Sequence, residues 1–246
     1  MQIFGVYHFW FGVHVAVITV GAEKGGVGKT RLSTHVAAIA AREGVDVVLL
    51  DTDKQGSAIS WSRIRGEDGD KDLKRFPVLA LPPSPLKEVQ NLSAKYELVV
   101  VDIGAQNYKT MLECAQLSDL LLVPCGADQQ EIESTLNVFD SLKNLRKPSR
   151  TPGELPVPVR AFVVLSRVSN LENSKATKQL REYFEGEGVR VFDSHIAYRS
   201  SWLAAGRTGR AVHELKGKDR SQKAVDEMQA VFDEITRRVE EAEVVQ

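Results

Sequence analysis

Cysteine is nearly missing from this chain. There are two in 246 residues, Cys114 and Cys125, and their spacing fits no metal site. That argues against a disulfide-held scaffold and for a reducing, cytoplasmic setting. Excess charge is missing too: 32 Lys and Arg stand against 33 Asp and Glu, a net charge of −1. Any contact with nucleic acid must therefore come from a local basic patch rather than from bulk charge. Met1 to Ala22 contains no Asp, Glu, Lys or Arg and is rich in aromatics. A segment of that length can suggest a membrane span. It lacks a positive leading region and a small-residue cleavage site, however. Val15–Val20 also reads as a buried strand feeding a glycine loop. The expectation is an apolar tail over 1–14, then one domain over 15–246, with a span or signal as the other reading. Hydrophobic residues at 43% and charged residues at 26% are those of an ordinary globular protein. A chain this long buries a core without staples.

Apolar runs alternate with helical patterns along the rest of the chain. Strands are expected at Val15–Val20, Val45–Leu50, Val78–Leu81, Leu98–Val101, Leu120–Pro124, Arg160–Leu165 and Val189–Phe192. Helices are expected near Lys29–Arg42, Leu86–Lys95, Tyr108–Leu117, Gln129–Leu145 and Ser174–Glu187. Nearly continuous apolar strands are those of parallel sheets covered on both faces. The order predicts an α/β fold: one doubly wound, mostly parallel sheet with helices on both faces. Lys147–Pro158, with four prolines and a glycine, reads as a loop within a single domain. A last helix from about Arg220 to Ala242 shows one apolar stripe of Val225, Met228, Phe232, Ile235 and Val239. Packing against the domain is the plain reading of that stripe. A membrane-targeting helix would need a basic polar face. Here Asp226, Glu227, Asp233, Glu234, Glu240, Glu241 and Glu243 make the face acidic.

The strongest motif is Gly21-Ala-Glu-Lys-Gly-Gly-Val-Gly-Lys-Thr30, between an expected strand and an expected helix. That is the context a phosphate loop requires. Gly25, Gly26 and Gly28 let backbone N–H groups converge on phosphate oxygens, and the helix N-terminus adds unpaired donors. Lys29 should reach the β- and γ-phosphates, and the Thr30 hydroxyl should ligate Mg²⁺. Glu23 stands where the ordinary G-x-x-x-x-G-K-[ST] pattern has its first glycine. The match is instead to K-G-G-x-G-K-[ST], with an added Lys24. That string arises by chance about once in 10⁶–10⁷ positions, so a plain glycine-rich turn with solvent lysines is a poor account of it.

This loop resembles the deviant Walker A motif of the ParA/MinD family of P-loop ATPases. The closest resemblance is to the short partition ATPases, and it covers roughly residues 15 to 240. By resemblance, Lys24 reaches across a dimer interface to the partner subunit's nucleotide, so that ATP joins two copies. The loop residues Gly25, Gly26, Val27, Gly28, Lys29, Thr30 and Arg31 would hold the nucleotide. Glu23 occupies a position that is Pro or Gln in most relatives.

Two further segments follow in the order that this resemblance implies. Val-Val-Leu-Leu-Asp51-Thr-Asp53-Lys-Gln55 resembles the family's D-x-D-P-Q, with Lys54 in place of proline. Asp53 would orient the attacking water and Asp51 would support the Mg²⁺ region; the alternative is a pair of acids capping the next helix. Leu-Val-Val-Val-Asp102-Ile-Gly fits a Walker B aspartate that holds Mg²⁺ through water, and Gly104 would admit the following backbone to the γ-phosphate. Phe162-Val-Val-Leu-Ser-Arg167 resembles the strand that ends beside adenine, where Arg167 is a cofactor contact or an ordinary strand-end arginine.

The cargo is less determined than the chemistry. The iron-protein branch needs cluster cysteines at a spacing that Cys114 and Cys125 do not have. The MinD branch needs a basic terminal helix. The ParA branch, with nonspecific DNA binding by the ATP dimer, fits. Arg199, Arg207 and Arg210, then Lys216, Lys218 and Arg220, form the densest positive stretch without a run of acids beside it. Phosphate contacts from such a patch would give salt-sensitive, sequence-independent affinity; a solvated basic loop is the alternative. No helix-turn-helix pattern precedes the phosphate loop. The resemblance therefore implies a nucleoid-associated DNA-segregation ATPase, released by a ParB-like or other cargo adaptor and needing no membrane. The alternative is a ParA-like positioning factor for a protein cargo or a DNA-transfer complex. A phosphotransferase acting on a small molecule would leave Lys24 without a task.

Overall fold

Alternate residues along the central strands pack to opposite faces of one sheet. Ile18, Val20, Leu49, Val100 and Leu122 join a core on one side, and Val17, Val48, Leu50, Val99 and Val101 join a second core on the other. Side chains alternate along a strand, so strands apolar throughout must be covered twice. The computed structural model describes residues 16–82, 85–149, 153–171 and 174–244. The expected tail over 1–14 and the strand's first residue, Val15, lie outside them.

In chain order the elements are β1 (Ala16–Val20), α1 (Lys29–Arg42), β2 (Val47–Asp51), α2 (Ser57–Glu67), β3 (Val78–Ala80) and α3 (Leu86–Ser93). β4 (Leu98–Asp102), α4 (Tyr108–Ala115), β5 (Leu120–Cys125) and α5 (Gln129–Leu142) follow. Next come β6 (Arg146–Lys147), β7 (Val157–Pro158), β8 (Ala161–Val168), α6 (Lys175–Gly186), β9 (Val191–Ala197), α7 (Ser201–Thr208) and α8 (Gln222–Val244). The seven-stranded sheet runs β3-β2-β4-β1-β5-β8-β9, with every pairing parallel. The expected doubly wound, single-domain fold is what forms. The Lys147–Pro158 stretch, read from sequence as loop, is closed by the small antiparallel pair β6–β7.

The chain leaves β1 toward β2 and β3, returns to place β4 beside β1, and then crosses to β5 on β1's other side. The order therefore reverses around β1. In open α/β sheets the crevice beyond the strand carboxyl ends at such a reversal is where ligands sit.

α8 packs as its stripe predicts: Met228, Phe232 and Ile235 are buried in the core that α1 also lines. Two of its acids do more than face solvent. The Glu234 carboxylate accepts the amides of Asp193 at 3.0 Å and Ser194 at 2.9 Å, and Glu227 accepts that of Ala197 at 3.2 Å. They satisfy donors on β9, an edge strand whose free N–H groups would otherwise invite another chain. Among the described residues, no helix is long and apolar enough to cross a membrane.

α2 was not expected from sequence. Its buried positions are Ala58, Trp61 and Arg65, so the apolar stripe fails at the position an arginine occupies.

Candidate nucleotide-binding site

Loops after β1, β2, β4, β5 and β8 meet at the carboxyl edge of the sheet. The first is the glycine loop. Gly28 has φ +105°, and a Cβ there would lie 2.9 Å from the Ser166 hydroxyl at the end of β8. Only glycine fits that conformation and that approach. Val27 turns its side chain into the core, leaving its backbone to the loop. Lys29 is buried at the start of α1, and its ammonium donates to the Lys24 carbonyl at 2.7 Å. Burial pushes the Lys29 pKa below the usual lysine value, against the pull of the Asp102 and Asp53 charges. A polyanion at the loop would replace that single carbonyl with a far stronger partner.

Asp102 ends β4 within reach of α1. Ser33 donates to its Oδ1 at 3.1 Å, while its Oδ2 is buried with no hydrogen-bond partner. Burial pushes this carboxyl up to about 7; the Thr30 hydroxyl pulls it down, Asp51 adds to the rise, and Ser33 and Lys29 oppose it. An orphaned carboxylate oxygen beside the Thr30 hydroxyl is a donor set that suits a hard divalent cation. Ser33 was not foreseen, although it lies one helical turn beyond Lys29 on the same face of α1, where the period of 3.6 places it.

The Asp51 carboxylate accepts three backbone amides. One oxygen accepts the amides of Ala58 (2.8 Å) and Ile59 (3.1 Å), and the other accepts that of Asp53 (2.9 Å). It caps α2 at long range, since the helix begins at Gly56 without a side-chain cap of its own. These contacts are those of the helix-capping alternative: Asp51 organises the loop through three backbone amides, which occupy three of its carboxylate's roughly four acceptor sites. Asp53 is half-buried, and its Oδ1 accepts the Gln55 amide at 3.0 Å. A Cβ on Gly104 would stand 3.0 Å from the Asp53 Cα and Cγ, so the loops after β2 and β4 touch there. Thr52 and Asn107 tie them further. The Thr52 hydroxyl donates to the Asp102 carbonyl at 3.0 Å and accepts the Gly104 amide at 3.1 Å, and Asn107 donates to the Thr52 carbonyl at 2.6 Å. Sequence reading missed both residues; the one signal was Thr52's place between two aspartates.

Lys24 is half-buried and donates to Gln130 at 3.4 Å, on the first turn of α5. Arg167, at the end of β8, holds φ +58°, the one positive value outside glycine among the described residues. It is ion-paired with Glu131, whose other oxygen accepts the Gly126 amide at 2.8 Å. The Arg31 guanidinium lies 5.4 Å from the centre of the Trp202 ring. Burial, and then the neighbouring Arg167 charge, push its pKa below the ordinary arginine value.

Residues 18–212 match the family described as the CobQ/CobB/MinD/ParA nucleotide binding domain. This chain belongs to that family. The maintenance of carboxysome distribution protein A of Halothiobacillus neapolitanus is 25% identical over 224 residues, 89% of this chain and 95% of that protein. The chromosome-partitioning ATPase Soj of Thermus thermophilus is 28% identical over 155 residues, 52% of this chain and 62% of its own length. A plasmid partition protein of Borrelia burgdorferi B31, solved bound to AMPPNP, shares the fold with a TM-score of 0.61. It is 19% identical, and the match covers 91% of this chain and 99% of that one.

Within this ParA/MinD-family domain, the structure corrects the reading of the basic stretch. Its acids come from elsewhere in the chain. Arg199 is ion-paired with Glu227, and both side chains are 16% exposed. Arg210 pairs with Asp68 at 2.7 Å and Asp70 at 3.1 Å, and Lys216 pairs with Asp70 at 2.8 Å. Arg220 donates to the carbonyl of His213 at 2.7 Å. Arg207 and Lys218 are exposed without an ion pair among the described residues. Six positive residues are adjacent in sequence, but three have their charge answered by carboxylates.

Proposed function

We propose that this chain is a Mg-dependent ATPase that dimerises on ATP, binds DNA without sequence preference, and is released when a cargo-bound partner stimulates hydrolysis. The convergence of Lys29, Thr30, Asp102 and Asp53 on one crevice beside a half-buried Lys24 supports this most directly. ATP would lie on Gly25–Arg31 with Arg167 toward the base. Mg²⁺ would be held by the Thr30 hydroxyl and, through water, by the free Asp102 oxygen, and would offset phosphate charge there. Lys29 would neutralise the β- and γ-phosphates, and Lys24 would do so in trans. Asp53, held by the Asp51 and Gln55 contacts, would position the attacking water.

A second reading has a protein assembly as cargo. It is favoured by the relative from Halothiobacillus neapolitanus, whose name concerns carboxysome distribution and which aligns over nearly its whole length. Both readings have the protein in the cytoplasm, and the DNA-binding reading has it on the nucleoid. Light scattering with Mg-ATP and with Mg-ADP, followed by gel shifts on random DNA, tests the proposal. Dimers that form with ATP and retain DNA support it. Dimers with no affinity for DNA at low salt leave recruitment of a protein cargo as the function.

A further inference from the structure

Two loops at the nucleotide crevice each carry an acid beside a base: Glu23-Lys24 after β1 and Asp53-Lys54 after β2. In each pair one member turns toward the crevice and is half-buried, Lys24 in the first and Asp53 in the second. The other member is exposed, Glu23 in the first and Lys54 in the second. The outward members have opposite signs. Neither takes part in any hydrogen bond or ion pair among the described residues.

Their separation within one chain is fixed by the sheet. β4 lies between β1 and β2, so the two loops leave the sheet two strand spacings apart, about 9.5 Å. Glu23 also adjoins a loop built to gather phosphate charge, where a lone carboxylate is repelled until a cation stands against it. A surface that presents one free acid and one free base around a dyad is self-complementary, because in a two-fold dimer each contact between unlike positions occurs twice.

We infer that Glu23 of one subunit pairs with Lys54 of the partner subunit in the nucleotide-bound dimer, a reciprocal pair of ion bridges that sets the register of the two copies. The inference rests on the ATP-dimer reading above. It assigns a contact that Lys24 alone does not provide: Lys24 answers the nucleotide's charge, whereas Glu23 and Lys54 answer each other. Contacts of this kind raise association rate and suppress wrong registers more than they add affinity.

Charge exchange tests it. Glu23→Lys and Lys54→Glu each place like charges together twice, and each should weaken Mg-ATP dimerisation about 3- to 30-fold by light scattering. The double exchange restores the pairing and should return dimerisation to near the wild-type value. Crosslinking gives geometry independently of energy. Cys114 and Cys125 are buried, so a mixture of a Glu23→Cys chain and a Lys54→Cys chain, oxidised with copper phenanthroline, presents one reactive thiol on each. A mixed disulfide dimer that appears with Mg-ATP and not with Mg-ADP is the expected result. If wild type dimerises with ATP, but the two exchanges act additively and no mixed disulfide forms, the pairing is wrong and the function stands. If wild type does not dimerise with ATP, both fall.

Discussion

Arg65 and Glu214, 149 positions apart in sequence, form a two-pronged ion pair with both N–O distances at 2.7 Å. Arg65 is 3% exposed and Glu214 is 11% exposed. The guanidinium also donates to the carbonyls of Lys74 and Gly209 and lies 5.1 Å and 5.5 Å from the ring centres of Trp61 and Phe76. The pair fastens α2, which springs from the Asp53 loop, to the segment that follows α7. Removing one member of a buried pair strands the other charge, at a cost of about 3–5 kcal/mol. Arg65→Met and Glu214→Gln should both lower stability in urea denaturation, with the arginine change near that range. The double variant should lose much less than the sum. A loss under about 1 kcal/mol for Arg65→Met would contradict this account.

That pair also marks where sequence reading stopped. The strands and α1 were legible because their apolar residues repeat at the right period; α1 runs over Lys29–Arg42, the expected span. α2 was not legible, because its inward stripe ends on a guanidinium whose partners lie far along the chain. The phosphate loop was legible from local spacing alone. The contacts of Asp51 were not: D-x-D looks the same whether its carboxylate faces a metal or caps a helix, and the spacing does not show the three backbone amides that donate to it. The ion pairs within the basic stretch were hidden for the same reason. Glu227, Asp68 and Asp70 are remote in sequence from the arginines they neutralise.

The two lysines of the phosphate loop should separate in their effects. Lys29→Ala removes the ammonium that feels the Asp102 and Asp53 charges and should abolish tight ATP binding, read by fluorescent-nucleotide titration. Lys24→Ala should keep nucleotide binding by the monomer and lose ATP-dependent dimerisation. Asp53→Ala should bind and dimerise but turn over at least about 100-fold more slowly, as expected when a water-positioning group is lost. A Lys24→Ala protein that still dimerises with ATP would remove the role in trans.

Two buried histidines should make the fold acid-sensitive. Burial pushes His35 down to about 3, with the neighbouring His213 adding to the fall. Burial, and then Arg42, Arg65 and Arg220, push His213 to about 3 as well. Both values lie below the ordinary 6.5. The unfolded chain therefore takes up these protons first. Their neutral-state stability is complete above about pH 6.5 and is lost as pH falls toward 3, at about 1.4 kcal/mol per pH unit for each imidazole. Both ring nitrogens of His213 are buried without hydrogen-bond partners, although Glu214 lies 3.8 Å from Nε2. His213→Leu should be close to neutral at pH 7.5 and should flatten the loss of stability between pH 6 and 4.5. Denaturation midpoints of both proteins over that range are the check; parallel slopes would assign the sensitivity to other groups.

The basic surface needs a test that spares the ion pairs. Charge reversal at Arg199 or Arg210 leaves Glu227 or Asp68 facing a like charge. Either change should lower the melting temperature whether or not DNA is a ligand, so a loss of DNA binding in those variants would carry little meaning. Arg207 and Lys218 are exposed and hold no such partner among the described residues. Arg207→Glu and Lys218→Glu should therefore leave melting and nucleotide binding unchanged. If the ATP dimer binds DNA through this face, each should weaken binding to random DNA, and both should reduce its dependence on salt as phosphate contacts are lost. A dimer repeats each contact, so the salt slope should fall by nearly two contacts for each substitution. Gel shifts between 50 and about 200 mM salt, with Mg-ATP present, read this directly. Unchanged affinity and slope in both variants would place the DNA contact elsewhere on the dimer.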